Sequence, residues 1–256
     1  MWAETLGYRE SRIQLTAAFF AALAGAASVS GNDDLLDLGS GPGEVTLGMA
    51  PYGGRMTAID CEQPMLDELA RRARSAGREI RMIHTKVEEA PLDLGRFRLI
   101  TIGHAHWFMH HPGTFERLDR WLAEGGNVAL CVSLNLSSSP WAKAFRTIRD
   151  KWARVDLRAR KLSHAEFFHG TNFMLAREIS IRGEQRLALD DLLRRAQGFS
   201  TSNPKVLGDA AAGAMVEELR QALSPYFRNG PVIEPFINQA FLYRRRGEPD
   251  PEVRHR

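Results

Sequence analysis

Cysteine is scarce in this chain. There are two in 256 residues, Cys61 and Cys131, far apart and in no C-x-x-C spacing. That excludes a disulfide scaffold and a zinc ribbon, and it suits a reducing compartment, so the cytoplasm is the expected location. Charge of one sign is also lacking. Thirty-four Lys and Arg stand against 31 Asp and Glu, a formal net charge of +3, too small an excess to argue for a nucleic-acid partner. Basic residues do gather in "RRARSAGREIR", "RDKWARVDLRARK" and "YRRR", which read as solvated helix faces and a polar tail. No apolar run reaches the ~20 residues of a membrane span. The closest approach, "LTAAFFAALAGAA" from Leu15, follows charged residues and reads as a buried helix. The residues before it lack the apolar centre of a signal peptide. Repeats and low-complexity segments are absent. What remains is an ordinary globular composition, 44% apolar and 25% charged. The length suits one large domain, or a domain with an insertion.

The first half alternates strands and helices with short connections. "LLDLG" (35–39), "RMTAID" (55–60), "IRMIH" (80–84), "FRLITIG" (97–103) and "NVALCVS" (127–133) read as strands. Between them, residues 44–51, 64–77 and 112–126 read as helices, the last two started by Pro and ended by Gly. Such alternation predicts a parallel, doubly wound α/β sheet. Ligands of these sheets bind at the carboxyl ends of the strands, near the point where strand order reverses. The second half changes character. Residues 140–162 are helical and basic, 164–174 aromatic without clear period, 188–197 and 209–223 helical, and 231–246 one or two closing strands. The expected division is a core over 1–135, a cap over 136–200 above the strand ends, a closing helix and last strands over 201–246, and a disordered tail over 247–256.

The loop after the first strand narrows the ligand. "DLGSGPGEVTL" places Asp37, Gly39, Gly41 and Gly43 at a strand–loop–helix junction. A dinucleotide fingerprint needs G-x-G-x-x-G. Counting from Gly39 the last place holds Glu44, and from Gly41 it holds Thr46, so the fingerprint fails. A G-K-[ST] phosphate loop is missing as well. Glycine at every second place lets the backbone press against a nucleoside and a zwitterionic amino acid. Asp60 ends the next strand, where one carboxylate can accept both hydroxyls of a ribose.

With these residues the chain resembles the class I S-adenosylmethionine-dependent methyltransferases, and within them the small-molecule branch that includes trans-aconitate methyltransferase. "LLDLGSGPG" is similar to that family's first motif, and "AID" with Asp60 to its ribose-binding acid. "HWF" with "LDRWLAEGGNVAL" resembles the block around its fourth and fifth strands. The resemblance covers 35–135, with a weaker likeness in "LALDDLLRRAQGFSTS". It implies a Rossmann-like, mostly parallel, seven-stranded doubly wound sheet with a helical and aromatic cap. The implied cofactor is S-adenosyl-L-methionine, held by Asp37, Gly39, Ser40, Gly41, Gly43, Asp60, Cys61 and Gly103. Val87 and Glu88 would flank the adenine, although Lys86 stands where many members carry an acid. Tyr8 and Arg12 of the N-terminal stretch would reach over the methionine part, with Arg12 on its carboxylate.

Methyl transfer needs chiefly proximity and orientation, and a base where the acceptor must lose a proton. The implied activity is transfer to a small organic hydroxyl, amine, carboxylate or carbon. No membrane or nucleic acid is called for, and the protein would be a monomer or homodimer. The [ND]-P-P-[FY] motif of base amino-methyltransferases is replaced after the fourth strand by "GHAHWF". Two other readings stay open: an enzyme that cyclises or cleaves S-adenosylmethionine itself, and a non-catalytic module that binds it. Trp107, Asn135, Trp141, Phe168 and Phe173 are expected to contact the acceptor. "HAHWFMHH" (104–111) holds four of eight histidines. It lacks a metal-binding pattern, and no metal is expected. If the stretch is extended, His104 and His106 point the same way, into the pocket. Both are candidate catalytic residues, His106 favoured as general base.

Overall fold

Strands covered by helices on both faces must be apolar on both faces, and those of the first half are. In the computed structural model, which describes residues 12–154, 162–199 and 201–248, β1 (Asp34–Leu38), β2 (Arg55–Asp60) and β4 (Phe97–Gly103) are almost wholly buried. With β3 (Ile80–His84) and β5 (Leu122–Asn135) they form the parallel part of a seven-stranded sheet. The full order is β3-β2-β1-β4-β5-β7-β6. β6 (Phe173–Leu187) and β7 (Val232–Arg245) complete it, and β7 runs antiparallel to both of its neighbours.

Side-chain alternation splits the core into two layers. Leu36, Leu38, Ile100 and Ile102 meet Trp121 and Phe167 on one face. Leu35 and Leu99 meet Phe19 and Leu23 of α1 (Ala17–Ala26) on the other. The connecting helices are α2 (Glu44–Met49), α3 (Gln63–Ser75) and α4 (Pro112–Trp121). Pro64 opens α3, and Gly77, at φ +61°, follows its end.

Three expectations are corrected and one, for 231–246, is narrowed. The helix expected to reach 126 stops at Trp121. Leu122 already pairs with Phe97, and an irregularity brings Asn127 opposite Leu99. The 231–246 stretch is one strand. The region 136–200 is not wholly a cap, since its residues 173–187 are the edge strand β6. Residues 209–223, expected to close the core, form α9 (Asp209–Leu223). This helix packs with α5 (Pro140–Trp152) and α7 (Leu189–Gln197) around a separate apolar cluster that includes Trp141, Phe145, Leu193, Met215 and Leu219. Two short helices, α6 (His164–Phe167) and α8 (Pro204–Leu207), complete the set. The tail from 249 onward lies outside the described residues.

Candidate functional site

Strand order reverses between β1 and β4, whose connections leave to opposite sides. At the carboxyl ends of these strands lies a cavity of about 450 Å³, within the size range of small-molecule sites. The loop between β1 and α2 forms its floor. Gly39, Gly41 and Gly43 all have positive φ, at 63°, 52° and 85°. A Cβ on Gly39 would lie 2.4 Å from the Met109 side chain, and one on Gly43 2.2 Å from Leu69. At Gly41 a Cβ would meet nothing within 4 Å, so that glycine is required by its φ rather than by crowding.

The amide protons of this loop are turned inward. Gly39 and Ser40 donate to the Ile59 carbonyl, at 2.8 and 3.1 Å, and Gly43 donates to Ser40. Gly41 donates to Asp60 Oδ2 at 2.7 Å. A phosphate cradle would leave such groups open to an anion. The wall chemistry points the same way. Asp37, Glu44, Asp60, Glu62 and Glu88 line the cavity, against Arg12 and Lys86. The Ser40 hydroxyl is buried on this wall without a hydrogen-bond partner among the described residues. A cavity rich in carboxylates, with a neutral floor and an orphan hydroxyl, fits a polar ligand that carries positive charge.

Two acids anchor the site. Asp37 is buried and accepts from Thr46 Oγ1 at 2.6 Å and Thr101 Oγ1 at 2.8 Å. Burial raises its carboxyl to about 6, while the two hydroxyls pull it down. Asp60 accepts the Glu62 amide on Oδ1 at 2.9 Å, besides Gly41 on Oδ2. It too is raised, chiefly by burial. Each carboxylate oxygen has two lone pairs, so both oxygens keep acceptor capacity toward the cavity they line.

Residues 12–16 close one side. Leu15 N donates to Glu44 Oε1 at 2.8 Å and Thr16 N to Asn238 Oδ1 at 3.1 Å. Asn238 Nδ2 donates in turn to Gln14 O and to Ser133 Oγ. Arg12 and Leu15 therefore stand on the cavity wall. Tyr8 lies outside the described residues.

Of the expected cofactor residues, Arg12, Asp37, Gly39, Ser40, Gly41, Asp60, Cys61, Val87, Glu88 and Gly103 all line the cavity. Gly43 shapes the loop from behind, against Leu69. Of the expected acceptor residues only Trp107 lines it. Asn135 donates from Nδ2 to the buried Glu234. Trp141 belongs to the separate helical cluster, and Phe168 and Phe173 to the core below the sheet.

The histidines are not arranged as an extended strand would place them. His104 has φ +52° and His106–Phe108 is a 3-10 turn, so the two rings diverge. His104 lines the cavity, and its Nε2 accepts the Ser133 amide at 2.9 Å. His106 is buried off the cavity wall, edge-on to Trp107 and Phe167. Its Nε2 is 2.9 Å from the Leu162 carbonyl. A carbonyl can only accept, so this nitrogen donates and the basic lone pair is on Nδ1, which is buried off the cavity wall; the placing of His106 in the pocket as general base is corrected. His110 packs edge-on to Phe115, and His111 Nδ1 caps α4 at the Gly113 amide.

Residues that sequence reasoning missed include Glu44, Glu62 and Met109. Glu44, the first helical residue after the glycine loop, could have been found as the acid opening α2. Met109 carries no local signal. Among the described residues, no group of three or more His, Cys, Asp or Glu could hold a metal ion. Nor is any described helix long and apolar enough to cross a membrane.

Residues 35–126 match the family model described as a methyltransferase domain. Curated proteins yield no match. Among solved structures, a candidate type II methyltransferase from Anaeromyxobacter dehalogenans is 17% identical, with a TM-score of 0.62, over 91% of this chain and 97% of that one. The YjhP protein of E. coli is 18% identical, at 0.58, over 96% and 98%. A SAM-dependent methyltransferase from Geobacter sulfurreducens, in complex with S-adenosyl-L-homocysteine, is 19% identical, at 0.57, over 95% and 98%. These likenesses are of fold. Residues 35–126, 92 of the 256, are thus similar to a methyltransferase domain, which supports an enzyme.

Proposed function

We propose that the protein transfers the methyl group of S-adenosylmethionine to a small organic acceptor bound in the same cavity. The carrying observation is Asp60. It is a carboxylate at the end of β2, locked by the Gly41 and Glu62 amides, facing a glycine floor that offers no amide protons to a phosphate. S-adenosylmethionine supplies an electrophilic methyl on a sulfonium with a good leaving group. Asp60 accepts the ribose hydroxyls. Gly39, Gly41 and Ser40 give the floor, and the Ser40 hydroxyl gains a partner. Val87 and Glu88 border the adenine, and Arg12 pairs the methionine carboxylate. The other wall carboxylates favour the cofactor's positive charge.

The chain's own contribution to the chemistry is placement and exclusion of water. The glycine floor fixes one reactant, and Trp107 and His104 border the place for the other. An acceptor of small size is supported by a cavity of about 450 Å³ with an acidic wall, which repels nucleic-acid phosphate. The narrower likeness to the trans-aconitate branch rests on "HWF" and its following block.

Calorimetry with S-adenosylhomocysteine, followed by incubation with S-adenosylmethionine with and without acceptor mixtures, tests this. Tight binding and acceptor-dependent release of S-adenosylhomocysteine are expected. Methylthioadenosine formed without acceptor would show instead an enzyme that consumes the cofactor. Binding without turnover under any acceptor would show a non-catalytic module.

A further inference from the structure

We propose that two copies of this chain join through β6, edge to edge and antiparallel about Gly183, into a two-fold dimer. β6 is the last strand of the sheet. It pairs with β7 along one side, and among the described residues no strand lies along the other. A free edge is a row of backbone N–H and C=O groups with which another strand can pair. Folds commonly blunt such an edge by keeping it short, by proline, by a bulge or by a covering element. β6 has little of this. From Glu178 to Leu187 its register against β7 is unbroken, and its one irregularity lies earlier, between Leu175 and Arg177. The stretch 178–187 holds no proline, and all of it but Leu187 is exposed or half-buried.

What guards the edge is charge. Successive residues of a strand face opposite sides of the sheet. Ile179 and Ile181 pack on the side covered by α1. Glu178, Ser180, Arg182, Glu184 and Arg186 stand on the other side, and all are exposed. Among the described residues, Arg182, Glu184 and Arg186 form no ion pair. Mixed charges along an edge turn away a plain apolar strand. They admit a strand that carries the opposite sign at each place. An antiparallel copy of the same row can do so, because its order is reversed.

Register decides whether the signs match. With Gly183 facing Gly183 of the second copy, Arg182 stands opposite Glu184, and Glu184 opposite Arg182. Ser180 meets Arg186, and Glu178 meets Ala188, so no like charges are opposed. An axis one residue earlier would set Arg182 against itself, and one residue later Glu184 against itself. Opposite charges directly across an antiparallel pair stabilise it, and like charges destabilise it. The contact is isologous and closes after two copies, leaving no free β6 edge. It joins two seven-stranded sheets into one, and long open sheets do occur in α/β enzymes. β5 and β7 lie between this edge and the cavity at β1 and β4, so pairing leaves both cavities open.

Sedimentation velocity from micromolar to near-millimolar concentration tests the pairing, with circular dichroism to establish that each variant is folded. The parent should dimerise. Arg182→Glu and, separately, Glu184→Arg turn both cross-strand pairs into like charges. Each should raise the dimer dissociation constant about tenfold or more. Both positions are exposed, and either variant alone suffices for the comparison. Arg182→Glu combined with Glu184→Arg restores both pairs with their signs exchanged, and should return the constant to within a few-fold of the parent. A monomeric parent, a dimer unmoved by the single changes, or a double variant no better than the singles would overturn the proposal.

Discussion

Asp60 and Gly41 are joined by a 2.7 Å hydrogen bond from the glycine amide to the carboxylate, so the acid that ends β2 also shapes the loop that follows β1. One side chain therefore serves two purposes, and its loss should show both. Asp60→Ala removes the proposed ribose acceptor, costing about 1.5–3 kcal/mol for bonds to a charged group, or roughly 10- to 150-fold in S-adenosylhomocysteine affinity. It also leaves the Gly41 and Glu62 amides without their acceptor, so the melting temperature should fall. Asp60→Asn keeps one acceptor oxygen and should lie between. Calorimetry and thermal unfolding of the three proteins measure this. Unchanged affinity in Asp60→Ala would remove Asp60 from the cofactor site.

Asp37 should make the protein less stable as pH rises. Its folded carboxyl is raised from 3.8 to about 6, chiefly by burial. Between those values the unfolded chain has lost the proton and the folded one has kept it. Stability then decreases with pH across this window and levels off above about 6. A shift of this size corresponds to at most about 3 kcal/mol. Asp37→Asn removes the titration while keeping an acceptor for one threonine. The variant should gain stability relative to the parent at pH 8 but not at pH 4. Denaturant unfolding at both values checks the sign. An equal difference at the two pH values would rule out this titration.

Much of the cavity wall was legible because its signals are local. Glycine at alternate places, an acid ending the next strand and apolar strands of five to seven residues each report on their own neighbourhood. The stretch after β4 depended on conformation that no spacing reveals. The extended reading of 104–106 failed because His104 adopts positive φ and a 3-10 turn follows at once. β6 was absorbed into the cap because an edge strand needs little apolar content. "EISIRGEQR" alternates half-buried and exposed residues, and its charges resemble a loop. Asn135, Trp141, Phe168 and Phe173 were suited by type to a pocket, but they are claimed by partners such as Glu234, Phe227 and Tyr243. Those partners lie far along the chain.

Arg195 and Glu234 should be the most costly pair to separate. Both are buried, and both guanidinium nitrogens meet the carboxylate, at 2.6 and 2.9 Å. Gln185 donates to the same carboxylate at 2.6 Å, and Asn135 donates to its other oxygen. Removing one charge leaves the other buried without its ion-pair partner, typically at 3–5 kcal/mol. Glu234→Ala should therefore unfold at far lower denaturant. Arg195→Met with Glu234→Leu should recover part of the loss, because no buried charge remains. Equilibrium unfolding of the single and double variants tests this. A single variant within about 1 kcal/mol of the parent would contradict the burial argument.

His106 should govern acid stability rather than turnover. Its ring is buried between Trp107 and Phe167, with Nε2 donating to Leu162 O and Nδ1 buried without a partner among the described residues. Burial lowers its pKa below 6.5, and nearby His164 acts in the same direction, although the Leu162 contact opposes them. In the window below 6.5 the unfolded chain binds a proton that the folded chain refuses. Stability therefore rises with pH there and is lost as pH falls from about 6.5 toward the lowered folded value. His106→Phe keeps an aromatic ring among aromatic neighbours and removes the titration. It forfeits the Leu162 bond, a loss of about 1 kcal/mol at neutral pH, yet its stability should fall less steeply between pH 6.5 and 5. Affinity for S-adenosylhomocysteine should stay within a few-fold of the parent, because the ring is off the cavity wall. Paired unfolding curves at pH 5, 6 and 7.5 decide it. An unchanged pH slope would deny the buried titration, and a collapse of cofactor affinity in a folded variant would return His106 to the site.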